Sequence, residues 1–337
     1  MNNMKHIILA AAAAALTMMS CGSNTQTTNN STPEPTVNVP TFSADSAYGY
    51  VAAQCSYGPR VMNSAAHDSC AQYIIRQFTT FGLNVSTQKG EAKLYDGTPI
   101  RLYNIIASTP DTASTKPRIM ICSHWDSRPW ADHDTDQANH HTPIDGANDG
   151  ASGVGVMMEI ARIIQGASPD VGIDFVCFDA EDCGTPGWDD TGDIDADTWC
   201  IGSQYWAQHV TDDYPGFISN CRYGILLDMV GGSNSVFYKE SYSKFYAPNV
   251  VDKVWAAAQR LGYTDYFKNT EGGAVTDDHL QVNKAGIRCI DIIGSDSQND
   301  GHFPSTWHTM NDNIQNIDRQ TLTAVGQTLL SIIYNEQ

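Results

Sequence analysis

VGIDFVCFDAED, residues 171–182, is an apolar run of strand length that closes in Glu181 and Asp182. Four more runs of this kind lie along the chain: NIIAS at 104–108, RIMICSHWDS at 118–127, YGILLDM at 223–229 and IRCIDIIG at 287–294. Each is short and rich in Ile or Val, as strands buried on both faces are. Amphipathic spacing predicts helices at 44–57, 64–82, 151–165, 201–211, 248–261 and 318–334, the second carrying Tyr73, Ile74, Phe78 and Phe81 on one face. Strands alternating with helices predict an α/β fold: one domain with a central, mostly parallel, twisted sheet flanked by helices. No repeat and no linker follows residue 40, so that domain is expected over 41–337.

The strands end in polar residues. His124 and Asp126 close one, Glu181 and Asp182 the next, Asp228 another, and Ser295 the last. Ligands of open α/β sheets bind beyond the carboxyl ends of the strands, so these groups are expected to converge on one edge. DGANDGASG, residues 145–153, precedes a helix and places Asp149 near its start, with glycines for a tight backbone turn. Several carboxylates buried together require protons or a cation. The candidate ligands are Asp149, Asp182 and His308, with His124 and Asp228 as further choices. Carboxylate and imidazole donors without cysteine suit a catalytic zinc that keeps one position open. Taken singly, an Asp in a Gly-rich loop is more often a turn or cap residue, and a His beside a Trp is usually structural. Their number and order give them weight.

The 337 residues carry 19 Lys and Arg against 38 Asp and Glu, a net charge of −19, which argues against nucleic acid as a partner. Acid is concentrated in runs such as WDDTGDIDAD, whose plain reading is a solvated surface; a gating or cation-binding role for 189–198 stays open. The first twenty residues, MNNMKHIILAAAAAALTMMS, and the following Cys21 read as an export signal (1–20) ending at a lipid-accepting cysteine. Residues 21–40 read as a polar, Pro-bearing tether. A membrane-anchored lipoprotein facing the periplasm is expected. Of the other cysteines, Cys122 and Cys177 lie in strand runs as small hydrophobes, and Cys183 and Cys200 flank the acidic loop and could staple it.

The ordered series SHWDS, DGANDGASGVGVMMEIAR, FDAED, LLDM, TDDH and WHTMND, with GPRVMNSAAHD at 58–68, resembles the zinc aminopeptidase and glutaminyl cyclase superfamily. Within it, the series is most similar to the animal-type (type II) glutaminyl cyclases and their bacterial relatives. The resemblance implies one zinc per chain held by Asp149, Asp182 and His308, with Glu181 as general acid/base. Asp228 and Asp278 match a pair of acids that share a hydrogen bond and steer proton transfer on the ammonia side. Trp307 matches an aromatic wall of the substrate pocket, and Trp188 a second wall, although its loop is longer here. The implied reaction is cyclisation of N-terminal glutamine on peptides or proteins to pyroglutamate, with release of ammonia; a monomer is expected.

This chain has Glu181-Asp182 where the animal enzymes pair two glutamates, so a shorter ligand must be carried closer by its backbone. The rival reading is an exported two-zinc aminopeptidase, with His124 and Asp228 completing a second site and Asp149 bridging. Asp278 and Trp307 favour the cyclase. A binding protein on a degenerate enzyme fold would lack a ligand or the acid/base, and neither is missing.

Overall fold

Ser43 and Ser64 begin the first two helices, their hydroxyls accepting the N–H of Ser46 and of His67. Such caps satisfy donors that a helix start leaves free. The computed structural model describes residues 37–110, 117–189, 196–298 and 301–336. The expected signal, Cys21, most of the tether and the centre of the acidic loop lie outside the described residues. Helices α1 (Ala44–Cys55) and α2 (Ala65–Thr80) lead into the hairpin of β1 (Asn84–Lys93) and β2 (Pro99–Ser108). There follow β3 (Arg118–His124), α3 (Ala151–Gly166), β4 (Gly172–Phe178), α4 (Ile201–Asp213), α5 (Phe217–Asn220), β5 (Cys221–Asp228) and β6 (Ser235–Lys239). The chain ends with α6 (Ser241–Tyr246), α7 (Pro248–Arg260), β7 (Phe267–Glu271), α8 (Asp278–Ala285), β8 (Cys289–Asp296) and α9 (Arg319–Asn335).

The strands form one mixed sheet in the order β1-β2-β4-β3-β5-β8-β6-β7. Its middle four, β4, β3, β5 and β8, are parallel, while β1, β2 and β6 each join antiparallel. Alternate residues of β3 explain why the middle strands read as continuous apolar runs. Ile119 and Ile121 enter a core with α1, α2, α3, α7 and α9, whereas Met120 and Cys122 face Trp206 of α4 and Val282 of α8. Both faces are buried, so no polar alternation survives. In register across the centre, Ile121 lies beside Phe175 and Ile225, and Ile225 beside Ile290.

Sequence reading placed six helices and five strands close to their positions and missed the sheet margins. NVSTQKGEAK forms β1 without a single Ile or Leu, because an edge strand buries little more than Gln88. β2 begins at Pro99 rather than 104, and the short β6 and β7 were not expected. The proposed Cys183–Cys200 staple is not formed; both are free thiols. Cys183 Sγ donates to Ala180 O at 3.4 Å and Cys200 Sγ to Glu181 Oε1 at 3.3 Å, so each is turned to its own partner.

Candidate active site

The parallel pairing of β3 with β4 and β5 brings His124, the residues after Phe178, and Asp228 to one edge of the sheet. After β4 the strand has ended: Ala180 takes a left-handed φ of 51°, which lets Glu181 and Asp182 point to different tasks. The 145–153 loop needs its glycines for two distinct reasons. Gly146 has φ 55°, and a Cβ on Gly150 would stand 2.5 Å from the His124 ring.

Two buried aspartates fix the backbone of these loops. Asp312 accepts N–H from Asn148 at 2.8 Å and Asp149 at 3.1 Å, and Asp126 accepts from Glu181 and Asp182, both at 3.1 Å. Asp149, Asp182 and His308 then converge, one ligand atom of each lying within 4.8 Å of the others. His308 Nε2 is 2.9 Å from Asp182 Oδ1 and 3.9 Å from Asp149 Oδ2. Its Nδ1 faces Asp132 Oδ1 at 3.5 Å, and its ring stacks on Trp307 and Trp199 with centroids 3.7 and 6.0 Å away. Burial alone would raise the Asp132 carboxyl, but His308 and the Arg128 guanidinium, 2.6 Å away, hold it well below the usual carboxylate range. A carboxylate behind an imidazole aims the other nitrogen at a metal.

A second group shares Asp149: His124 Nε2 lies 2.8 Å from Asp149 Oδ1 and 3.3 Å from Asp228 Oδ1. Its Nδ1 faces Asp126 Oδ1 at 3.4 Å. Charge is crowded here. Burial, with Asp149 adding, pushes Asp228 up to about 6, and burial also raises Asp182, with His308 opposing and Asp149 adding. Asp182 Oδ2 has no hydrogen-bond partner among the described residues. One imidazole nitrogen and two carboxylate oxygens, buried, convergent and short of countercharge, fit a catalytic zinc.

Glu181 stands outside the ligand group. Burial pushes its carboxyl well above the usual range, and Oε1 accepts the Cys200 thiol. The acid brought beside it is Asp277, which forms a group with Glu181 and Cys200 within 4.8 Å. Asp278, expected in that place, is one residue further along: Asp277 caps α8 with extended backbone and accepts the Asp278 N–H at 2.6 Å, while Asp278 is already helical. Neither Asp278 oxygen has a hydrogen-bond partner among the described residues, so the expected Asp228–Asp278 hydrogen bond is absent there. Burial, then Asp228, raises Asp277 to about 7.

Trp307 lines a cavity of about 340 Å³ with His133, His302, Phe303, Pro304 and Ser305, beside the His308 ring. Trp188 is not part of that lining; 43% exposed, it packs on Trp130 and His141 with centroids 6.0 and 4.4 Å away. Ser295 also stands apart from the ligand groups, in a neighbouring cavity with Glu240 and Val275. Sequence reading placed Asp126 at the strand end without its role, and missed Asp132, Asp312, Trp199 and Asp277. What marks Asp126, Asp132 and Asp312 is the backbone or imidazole they hold, which the sequence does not show.

Fold and site together define an α/β domain of the zinc-exopeptidase type with buried acids and histidines grouped as metal ligands would be. The chain belongs to peptidase family M28, which matches residues 104–333. It is similar to a glutaminyl cyclase of Bacteroides thetaiotaomicron, solved bound to N-acetylhistamine, with a TM-score of 0.84 and 50% identity, covering 89% of this chain and 100% of that one. It is 28% identical over 259 residues to aminopeptidase YwaD of Bacillus subtilis (strain 168), covering 74% of this chain and 48% of the relative. It is 26% identical over 253 residues to a glutaminyl-peptide cyclotransferase of Bos taurus, covering 67% of this chain and 64% of the relative. The chain thus spans less than two thirds of the length of these two curated relatives.

Proposed function

We propose that this chain is a zinc-dependent glutaminyl-peptide cyclotransferase that converts N-terminal glutamine of peptides and proteins to pyroglutamate and releases ammonia. The observation that carries the reading is the likeness, at 50% identity and across the other chain's full length, to a glutaminyl cyclase. Asp149, Asp182 and His308 would hold one zinc. Bound there, zinc supplies Lewis-acid polarisation of the side-chain amide carbonyl. Glu181 takes a proton from the α-amine as its nitrogen bonds to Cδ, and returns one to the amide nitrogen as the Cδ–N bond breaks, so ammonia leaves neutral. Asp277, in place of Asp278, sits beside Glu181 and with Asp228 places the protons on the departing nitrogen. Trp307 forms the apolar wall against which the glutamine side chain lies, and Asp132 keeps the His308 ring aligned.

The test is a peptide beginning in glutamine followed by mass spectrometry: loss of one ammonia from an otherwise intact peptide is expected. Release of free glutamine and a shortened peptide sinks the reading. That outcome belongs to a second reading with its own observation, the His124, Asp149 and Asp228 group, which would make this a two-metal aminopeptidase. Metal content separates them, one tightly held zinc per chain against two. Replacing Glu181 by Gln with zinc retained should abolish turnover in either case.

Export and lipid attachment at Cys21 belong to the same proposal and rest on the sequence of the first forty residues. Such an enzyme would meet substrates newly freed of their signals. Labelling of the full chain with a fatty acid, lost in C21A, tests the anchor.

A further inference from the structure

Behind Asp277, away from the ligand groups, lies a second set of buried polar side chains. Asp277, His279 and Asp291 form a group with ligand atoms within 4.8 Å, and Glu240 joins it. All four are buried, drawn from three elements: the start of α8, the middle of β8 and the residue that caps α6. Asp277 is common to this group and to the one containing Glu181. A continuous line of buried acids therefore runs from the reacting edge of the sheet to the cap of α6.

Glu240 anchors the far end. Its carboxylate accepts N–H from Tyr242 at 2.8 Å, Val275 at 3.1 Å and Ser243, and the Ser243 hydroxyl at 2.7 Å. The Ser243 oxygen in turn accepts the Asp291 N–H at 2.9 Å, tying α6 to β8. A carboxylate surrounded by donors in this way is ionised, and buried ionised acids require a countercharge. The basic side chain that meets it is His279, whose Nε2 lies 3.3 Å from Glu240 Oε2 and whose Nδ1 lies 3.8 Å from Asp291 Oδ2. Each ring nitrogen thus faces a carboxyl, one on α6's cap and one on β8, so the ring is packed between two acids.

We propose that His279, held between Glu240 and Asp291, is a positioning residue for Asp277 and through it for Glu181. The ring fixes the Asp291 carboxyl, Asp291 fixes Asp277, and Asp277 stands beside the acid/base. His279 touches no substrate; it acts by holding the line of carboxyls in one arrangement. Burial and the neighbouring Asp277 push Asp291 well above the usual carboxylate range, as expected for acids packed side by side. The proposal rests on the cyclase reading for the identity of the reaction only.

The test is a double-mutant cycle on the full chain loaded with zinc: H279Q, D277N and the pair, with kcat, KM, metal content and thermal midpoint for each. Expected is a fall in kcat of about tenfold or more in H279Q with KM within about threefold, and no further loss when it is added to D277N. Additive losses, or an unchanged kcat in H279Q, overturn the proposal. So does loss of one metal equivalent in H279Q, which would make the cluster a second metal site. If H279Q fails to fold, D291N, which keeps the shape of the side chain, takes its place in the same cycle. A wild type that releases glutamine instead of ammonia sinks the cyclase reading alone, because the cycle can then be read on the hydrolysis rate.

Discussion

Asp126 accepts the backbone N–H of Asp182 at 3.1 Å, reaching from the end of β3 to the loop beyond β4. Its other oxygen takes the N–H of Glu181, so a single buried carboxyl sets the direction of both the proposed metal ligand and the proposed acid/base. Partners one step behind a metal ligand typically contribute 10–100-fold in affinity or activity. D126A should therefore weaken zinc by roughly that factor, read by competition with a chromophoric chelator. D126N, which presents an amide NH₂ to one of the two N–H groups, should fall nearly as far. Wild-type affinity in both would show that the loop holds its shape unaided.

Gly150 lies against the His124 ring so closely that any side chain must displace it. G150A places a methyl group 2.5 Å from ring atoms, a clash the buried strand end cannot relieve cheaply. A loss of about 1–3 kcal/mol in stability is expected, together with a much larger loss of turnover, because His124 meets Asp149 and Asp228. Urea unfolding and kcat measured on the same sample check it. Equal, small losses in both would mean that the ring moves without disturbing the site.

The parallel centre of the sheet was legible because burial on both faces leaves unbroken Ile and Val, as in RIMIC and FVCF. Asp149 and Asp182, which precede a helix and follow a strand, could be named as candidate ligands from position alone, whereas His308 gained its weight from the resemblance. What stayed hidden depended on direction rather than residue type. Asp277 and Asp278 are chemically identical neighbours, and only the cap conformation at Asp277 distinguishes the one grouped with Glu181 and Cys200. Trp188 shows the same limit from another side: an aromatic in a long loop can be named as a pocket wall, but its contacts turned out to be Trp130 and His141. Edge strands such as NVSTQKGEAK lacked an apolar stripe to announce them.

Acid should weaken the fold partly through Glu240. Burial would raise this carboxyl, but His279 and the N–H groups of Tyr242 and Ser243 outweigh burial and hold it down to about 2, below the ordinary value of 4.5. A depressed folded-state pKa gives stability that is present above about 4.5 and is lost as pH falls toward 2. The difference corresponds to roughly 3 kcal/mol at neutral pH. E240Q should lower stability at pH 7 and make the slope between pH 5 and about 2 shallower than in wild type. Parallel acid limbs in urea titrations of the two proteins would show that Glu240 is not the group responsible.

Arg60, in GPRVMNS, is fully buried and spends its guanidinium on backbone carbonyls. It donates to Trp125 O and Gly146 O, both at 2.8 Å, to Asp126 O at 3.4 Å, and to Asp145 O. One side chain thus binds the end of β3 to the loop that presents Asp149, which a long apolar side chain cannot do. R60M strands several buried carbonyls at about 1–3 kcal/mol each, with incomplete additivity, so a total of about 3–5 kcal/mol is expected. R60K keeps the charge but lacks the planar fork, reaches fewer of the carbonyls, and should lie between. The urea midpoint measures the cost, and zinc content of the folded fraction measures whether the Asp149 loop has moved. A wild-type midpoint in R60M would mean that water satisfies those carbonyls as well as the guanidinium does, and the loop would then owe its position to Asp312 alone.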